Sequence, residues 1–160
     1  MGEKKRLGVG VISLGWMGRL HTRSYKAVAE YFPELGVEVE LVAAADPIDS
    51  VREEATGKLG FKRAYADYHE LLADPEVDIV SIASPNFLHK EIALAAIAAG
   101  KPFWIEKPMG VSAEQSREIA QAAEKAGLVS AVGFNYRHTP AIEYMRTLVR
   151  EGKFGRLTNV

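Results

Sequence analysis

Leu7-Gly8-Val9-Gly10-Val11-Ile12-Ser13-Leu14-Gly15-Trp16-Met17-Gly18 is the stretch on which the fold turns. Its first six residues form a short, nearly continuous apolar run, the pattern of a strand buried on both faces. A turn holding Gly15 and Gly18 follows, and from about Met17 to Glu30 the pattern is helical. Strand, glycine turn and helix in this order bring a helix N-terminus to where an anion can meet its free N–H groups. Gly15 lets the backbone approach a pyrophosphate, and Gly18 lets the helix pack close to the strand. The turn departs from the G-x-G-x-x-G pattern at its first position, which is Ser13, so it is expected to be tighter or differently placed. Gly8 and Gly10 lie inside the strand, outside the motif frame. An ordinary βα turn is the alternative reading.

Outward from this stretch, apolar runs recur at Val39–Ala45, Ile79–Ala83, Phe103–Ile105 and Val129–Val132, with a weaker one at Arg63–Tyr65. Helical patterns separate them: Ser50 to Leu59, Tyr68–Ala73, Leu88–Ala99, Ser112–Ala126 and a last one after Pro140. Gly100 and Gly127 stand where helices stop, and Ser112 with Gln115 has capping-box spacing. The alternation predicts an α/β fold: a doubly wound, mostly parallel Rossmann sheet of about six strands, with helices on both faces. Residues 1–134 are expected to form this domain. Residues 135–160 are expected to open a second, truncated one, because Gly155–Val160 reads as a strand with nothing after it to pair with.

Composition narrows the classes. The chain has 160 residues, 48% hydrophobic and 26% charged, which excludes disordered and low-complexity readings. At this length a chain buries roughly 70% of its unfolded surface, enough for one core. The net charge of −1 gives no bulk attraction to nucleic acid. The absence of cysteine excludes disulfides, zinc–thiolate sites and a cysteine nucleophile. No apolar stretch reaches the roughly 20 residues of a membrane span, and the N-terminus lacks the pattern of a signal peptide. The expected location is the cytoplasm. No metal-ligand spacing and no Ser-His-Asp order stands out.

The chemistry-bearing residues follow the strands. Asp46, at the end of the second, either accepts hydrogen bonds from both adenosine ribose hydroxyls or closes a turn. In the first role it repels a 2′-phosphate and selects NAD over NADP. Its distance from Gly18 exceeds the usual ~20 residues, and the loop Tyr31–Glu38 accounts for the excess. Ser84-Pro85-Asn86 and His89 follow the fourth strand; Asn86 suits a helix cap as well as a ligand. Glu106-Lys107-Pro108 follows the fifth. Lys107 presents an ammonium suited to acid–base work, oriented by Glu106, or the two form a surface ion pair before a turn proline. After the sixth, Asn135, Tyr136 and Arg137 suggest polar contacts with a substrate, with Arg137 alternatively a structural tie. His21 and His69 carry no partner pattern and read as helix-surface residues.

The turn Gly15-Trp16-Met17-Gly18, Asp46, Pro85-Asn86 with His89, Glu106-Lys107-Pro108 and Gly133-Phe134-Asn135-Tyr136-Arg137 occur in the order and spacing of one family. The chain resembles the N-terminal domain of the Gfo/Idh/MocA family, the glucose-fructose oxidoreductase and inositol dehydrogenase group, over almost all its length. The resemblance implies hydride transfer between NAD and a sugar, inositol or related polyol, and a homo-oligomer for the full-length protein. Charge balance, the lack of a long apolar stretch and the lack of metal-ligand spacing predict no nucleic acid, membrane or metal partner. By the resemblance, Lys107 is the catalytic residue. Ser13, Gly15, Trp16, Met17, Gly18, Asp46, Ser84, Pro85, Asn86, His89, Glu106, Lys107, Pro108 and Asn135 bind the cofactor, and Tyr136 and Arg137 meet the substrate. The resemblance implies that the family's second domain, which carries an aspartate–histidine pair, lies beyond these 160 residues, so cofactor binding with little turnover is expected of them alone. A non-catalytic NAD-sensing module is the alternative: it would keep Asp46 and the glycine turn and have no use for Lys107.

Overall fold

The computed structural model describes residues 5–158. Six strands run Lys5–Ile12 (β1), Val37–Ala45 (β2), Arg63–Tyr65 (β3), Ile79–Ile82 (β4), Phe103–Ile105 (β5) and Ser130–Val132 (β6). Every pairing is parallel, in the order β3-β2-β1-β4-β5-β6. The chain winds outward from β1 through β2 to β3, then returns to lay β4 against β1 and winds the other way. The strand order therefore reverses between β1 and β4, and a crevice opens beyond the C-terminal ends of these two strands, where ligands bind in such sheets.

The helices are Trp16–Tyr31 (α1), Asp49–Glu54 (α2), Tyr68–Ala73 (α3), His89–Ala98 (α4), Ala113–Lys125 (α5) and Pro140–Arg150 (α6). Two apolar cores result. On one face, Leu71 and Leu72 of α3, Ile92, Ala93 and Ala96 of α4, and Ile119 and Ala123 of α5 pack on Ile12, Val80, Ile82 and Ile105. On the other, Tyr25 of α1, Val51 of α2 and Ala55 just after α2 pack on Val9, Val11, Leu41 and Ala44. A sheet covered twice needs strands apolar on both sides, which is why β1, β2 and β4 read as continuous apolar runs.

The predicted stops hold. Gly100 and Gly127 adopt φ of +68° and +64° after α4 and α5, and the Ser112 hydroxyl accepts from the Gln115 N–H at 3.2 Å. The excess spacing before Asp46 comes from the 16-residue α1 and a 3-10 turn at Pro33–Leu35. Two expectations need correction. Asn86 caps nothing with its side chain; it opens a short 3-10 turn, Asn86–Leu88. Gly155–Thr158 form no strand, since no neighbouring strand offers them a ladder among the described residues; Asn159 and Val160 lie outside those residues. No described helix is long and apolar enough to cross a membrane.

Candidate cofactor and catalytic site

The turn after β1 is built on the residue that breaks the glycine pattern. Ser13 has φ of +69°, a left-handed conformation, and its N–H donates to the Ala45 carbonyl at 2.8 Å. The turn is thus shaped as a glycine would shape it, and the side chain adapts to that shape. Ser13→Gly is expected to raise stability by about 0.5–1 kcal/mol, the steric gain exceeding the added freedom of the unfolded chain. A thermal midpoint unchanged or lowered in that variant would contradict the assignment.

Asp46 is 6% exposed and holds two turns together. One carboxylate oxygen accepts from the Leu14 N–H and the other from the Ile48 N–H, each at 3.0 Å. The turn-closing reading therefore describes its protein contacts. Each oxygen keeps a second lone pair, and Asp46 also lines a cavity of about 450 Å3 shared with Ser13, Gly15, Arg19, Ile48 and Ser84. Three features of this cavity suit a dinucleotide. The N-terminus of α1 has no side-chain cap, so its first N–H groups are available to an anion. The Ser84 hydroxyl is buried without a partner among the described residues. Asp46 supplies acceptor capacity at its rim.

Arg19 and Glu54 stiffen this region, and sequence reading missed both. Arg19 donates to the Leu14 carbonyl at 2.6 Å and to Glu54 at 2.6 Å. That hydrogen bond holds Glu54 below the usual carboxylate range. At the cavity wall, burial and then the Glu91 carboxylate push the Tyr68 phenol well above its ordinary range.

The other half of the site lies beyond α1. Trp16, Met17, His21, Glu106, Lys107, Asn135 and Tyr136 line a second cavity of about 450 Å3. Lys107 also lines a third, of about 390 Å3, with Phe134, Asn135, Tyr136 and Arg137. Lys107 thus stands at the C-terminal edge of the sheet, at the junction of two openings.

A family model described as an oxidoreductase family with an NAD-binding Rossmann fold, Gfo/Idh/MocA, matches residues 7–134. The chain belongs to the Gfo/Idh/MocA family. It is 37% identical over 156 residues to the levoglucosan dehydrogenase of Pseudarthrobacter phenanthrenivorans, covering 96% of this chain and 39% of that protein. It is 30% identical over 148 residues to the myo-inositol 2-dehydrogenase of Thermotoga maritima, covering 92% and 42%. Among solved structures, an NAD binding oxidoreductase from Klebsiella pneumoniae superposes with a TM-score of 0.88 at 43% identity, covering 94% of this chain and 40% of that one. Levoglucosan dehydrogenase in complex with NADH and levoglucosan superposes with a TM-score of 0.89 at 35% identity, covering 95% and 41%. The chain spans about two fifths of the length of these relatives.

Within this family domain, the structure distributes the expected site residues unevenly. Ser13, Gly15, Asp46, Ser84 and Pro85 share the first cavity. Trp16, Met17, Glu106, Lys107, Asn135 and Tyr136 share the second, and Arg137 joins Lys107 at the third. Gly18 faces the Ser13 carbonyl and shapes the turn from behind. Asn86 is exposed beside the first cavity and does not line it.

His89 is a correction. It is fully buried, with Nδ1 2.8 Å from the Pro108 carbonyl and Nε2 2.9 Å from the Ser84 carbonyl. The ring is fully buried with each nitrogen against a protein carbonyl, so His89 is closed off from a cofactor and instead ties together the loops after β4 and β5. Pro108 takes part through that carbonyl.

His21 is a second correction. It is not a helix-surface residue: Nδ1 lies 2.6 Å from the Ser81 hydroxyl and Nε2 3.0 Å from Glu106 Oε1. The signal was present in the sequence, since Gly18, His21, Thr22 and Tyr25 share one helix face at i, i+3, i+4 and i+7. The chain Ser81–His21–Glu106 has the order of a nucleophile triad, but Ser81 is fully buried within β4, where no substrate can reach its hydroxyl.

Proposed function

We propose that this chain is the cofactor-binding half of an NAD-dependent dehydrogenase acting on a sugar, inositol or related polyol. The supporting observation is that the uncapped start of α1, the Asp46 carboxylate and the Ser84 hydroxyl, which has no partner among the described residues, meet on one cavity, with Lys107 across the turn from it. The α1 N-terminus and the Gly15 backbone hold the pyrophosphate. Asp46 accepts from the ribose hydroxyls of the adenosine, and Ser84 supplies a further hydroxyl contact. The bound nicotinamide supplies the hydride chemistry. Lys107 Nζ hydrogen-bonds the reacting oxygen and assists transfer of its proton, while Asn135, Tyr136 and Arg137 contact the substrate's polar groups. The rest of the substrate site lies outside residues 1–134, in a second domain that begins near residue 135. Cytoplasmic location and homo-oligomeric assembly of the complete protein belong to the same proposal.

Calorimetric titration of the chain with NADH and NADPH tests it. Asp46 repels a 2′-phosphate, so NADH is expected to bind at least roughly tenfold tighter, about 1.4 kcal/mol. Equal affinities would remove Asp46 from the ribose. Binding of neither nucleotide to the folded chain would sink the cofactor assignment.

A further inference from the structure

Glu106 and Lys107 are adjacent in sequence, and a free carboxylate beside an exposed ammonium would neutralise it. The structure turns the acid the other way. Glu106 Oε1 lies 3.0 Å from His21 Nε2, and Lys107 makes no ion pair among the described residues. A carboxylate only accepts, so the proton of this contact sits on Nε2. In the neutral ring the Ser81 hydroxyl then donates to Nδ1, across 2.6 Å.

The surroundings keep this chain in place. The His21 and Glu106 side chains are 13% and 12% exposed, and Ser81 is fully buried. The Trp104 ring meets the imidazole edge-on, with centroids 6.2 Å apart and planes at 88°. A Cβ on Gly133 would sit 2.6 Å from Glu106 Oε1, so a side chain at residue 133 would push the carboxylate from this position. Helix α1, strand β4 and the loops after β5 and β6 thus meet around the His21–Glu106 pair.

We infer that His21 is a positioning residue for Lys107. By holding Glu106, it denies the Lys107 ammonium its sequence-adjacent partner and leaves Nζ available to a ligand oxygen. Among the described residues lining the two cavities of Lys107, the remaining charged side chain, Arg137, is a cation and offers no substitute partner. The inference builds on the proposed role of Lys107, yet its test needs neither cofactor nor substrate.

The test is the rate at which Lys107 of the 160-residue chain reacts with an amine-reactive ester at fixed near-neutral pH, read by peptide mass spectrometry against Lys5 and Lys153. Only the unprotonated amine reacts, and a carboxylate partner holds the proton on. His21→Leu is expected to slow Lys107 labelling by roughly three- to tenfold, as when an ammonium gains an exposed partner. His21→Gln, whose amide both donates to Glu106 and accepts from Ser81, is expected to keep the wild-type rate. Glu106→Gln should leave the rate within about twofold and abolish the effect of a superimposed His21→Leu.

Unchanged labelling in a natively folded His21→Leu chain overturns the inference. So does faster labelling in Glu106→Gln, which would mean that the acid already pairs with Lys107. If His21→Leu does not fold, the Glu106→Gln rate and the imidazole 15N spectrum of the wild-type chain decide, and a proton on Nδ1 in place of Nε2 overturns it. Failure of NADH to bind would sink the functional reading and leave these rates untouched.

Discussion

Alanine at Gly15 and alanine at Gly18 are expected to fail in different ways. A Cβ at Gly18 would lie 2.0 Å from the Ser13 carbonyl oxygen and 3.0 Å from its carbon. Both are backbone atoms of a turn already held by the bond from the Ser13 N–H to Ala45. Neither can rotate aside, so α1 must move away from β1, costing the fold about 2–3 kcal/mol. Because the start of α1 carries the N–H groups proposed to bind the anion, nucleotide affinity is expected to fall at least ~100-fold along with stability. A Cβ at Gly15 meets nothing within 4 Å, and its φ of −60° suits alanine. Gly15→Ala should therefore keep the wild-type thermal midpoint. Yet Gly15 lines the cavity, and a methyl group there would hold the proposed pyrophosphate away from the backbone. NADH affinity is expected to drop by roughly tenfold or more. Thermal denaturation and calorimetry on both variants check this together. Full nucleotide affinity in Gly15→Ala would remove the pyrophosphate from this turn, and a stable Gly18→Ala would contradict the packing of α1 on β1.

These two glycines show how much of the molecule was legible from its sequence. The sheet was legible because strands covered on both faces must be apolar throughout, and β1, β2 and β4 say so locally. Helix ends were legible where a single residue type carries the constraint, as at Gly100 and Gly127. The strand expected at Gly155 failed because a strand is a property of two segments, and the ladder partner is nowhere in the local pattern. The same limit governs the site. Ser13, Asp46, Glu106 and Lys107 stood out by position at strand ends. What the sequence did not reveal was which partners they take. Asp46 spends one lone pair of each oxygen on the turns after β1 and β2, and Glu106 turns to a histidine 85 positions earlier. His89 looked like a ligand residue because it follows a strand end, yet burial hands both its nitrogens to carbonyls. His21 was legible in principle. It shares a helix face with Gly18, and the tight contact of Gly18 with the Ser13 carbonyl marks that face as the one against β1.

Lys107→Met in the complete protein is expected to cut the rate of hydride transfer by roughly 10²- to 10⁴-fold, the range spanned by removal of an acid–base group. NADH affinity should stay within a few-fold. The separation follows from geometry. Lys107 lines the second and third cavities with Asn135 and Tyr136, whereas the groups proposed to hold the adenosine and pyrophosphate line the first. Methionine keeps most of the length of the side chain and removes only the ammonium, so packing around the loop after β5 should survive. Lys107→Arg then distinguishes two ways in which the ammonium can act. Arginine keeps the positive charge and its hydrogen bonds but does not release a proton near neutral pH. If Nζ acts chiefly as a fixed charge on the reacting oxygen, arginine recovers much of the lost rate. If Nζ passes the proton, arginine stays close to methionine, and the pH–rate profile loses the limb that belongs to the lysine. Steady-state kinetics with a polyol substrate, together with NADH titrations of each variant, provide the measurement. A Lys107→Met enzyme within tenfold of wild type would take the chemistry away from this lysine and favour a non-catalytic, NAD-sensing role for the domain.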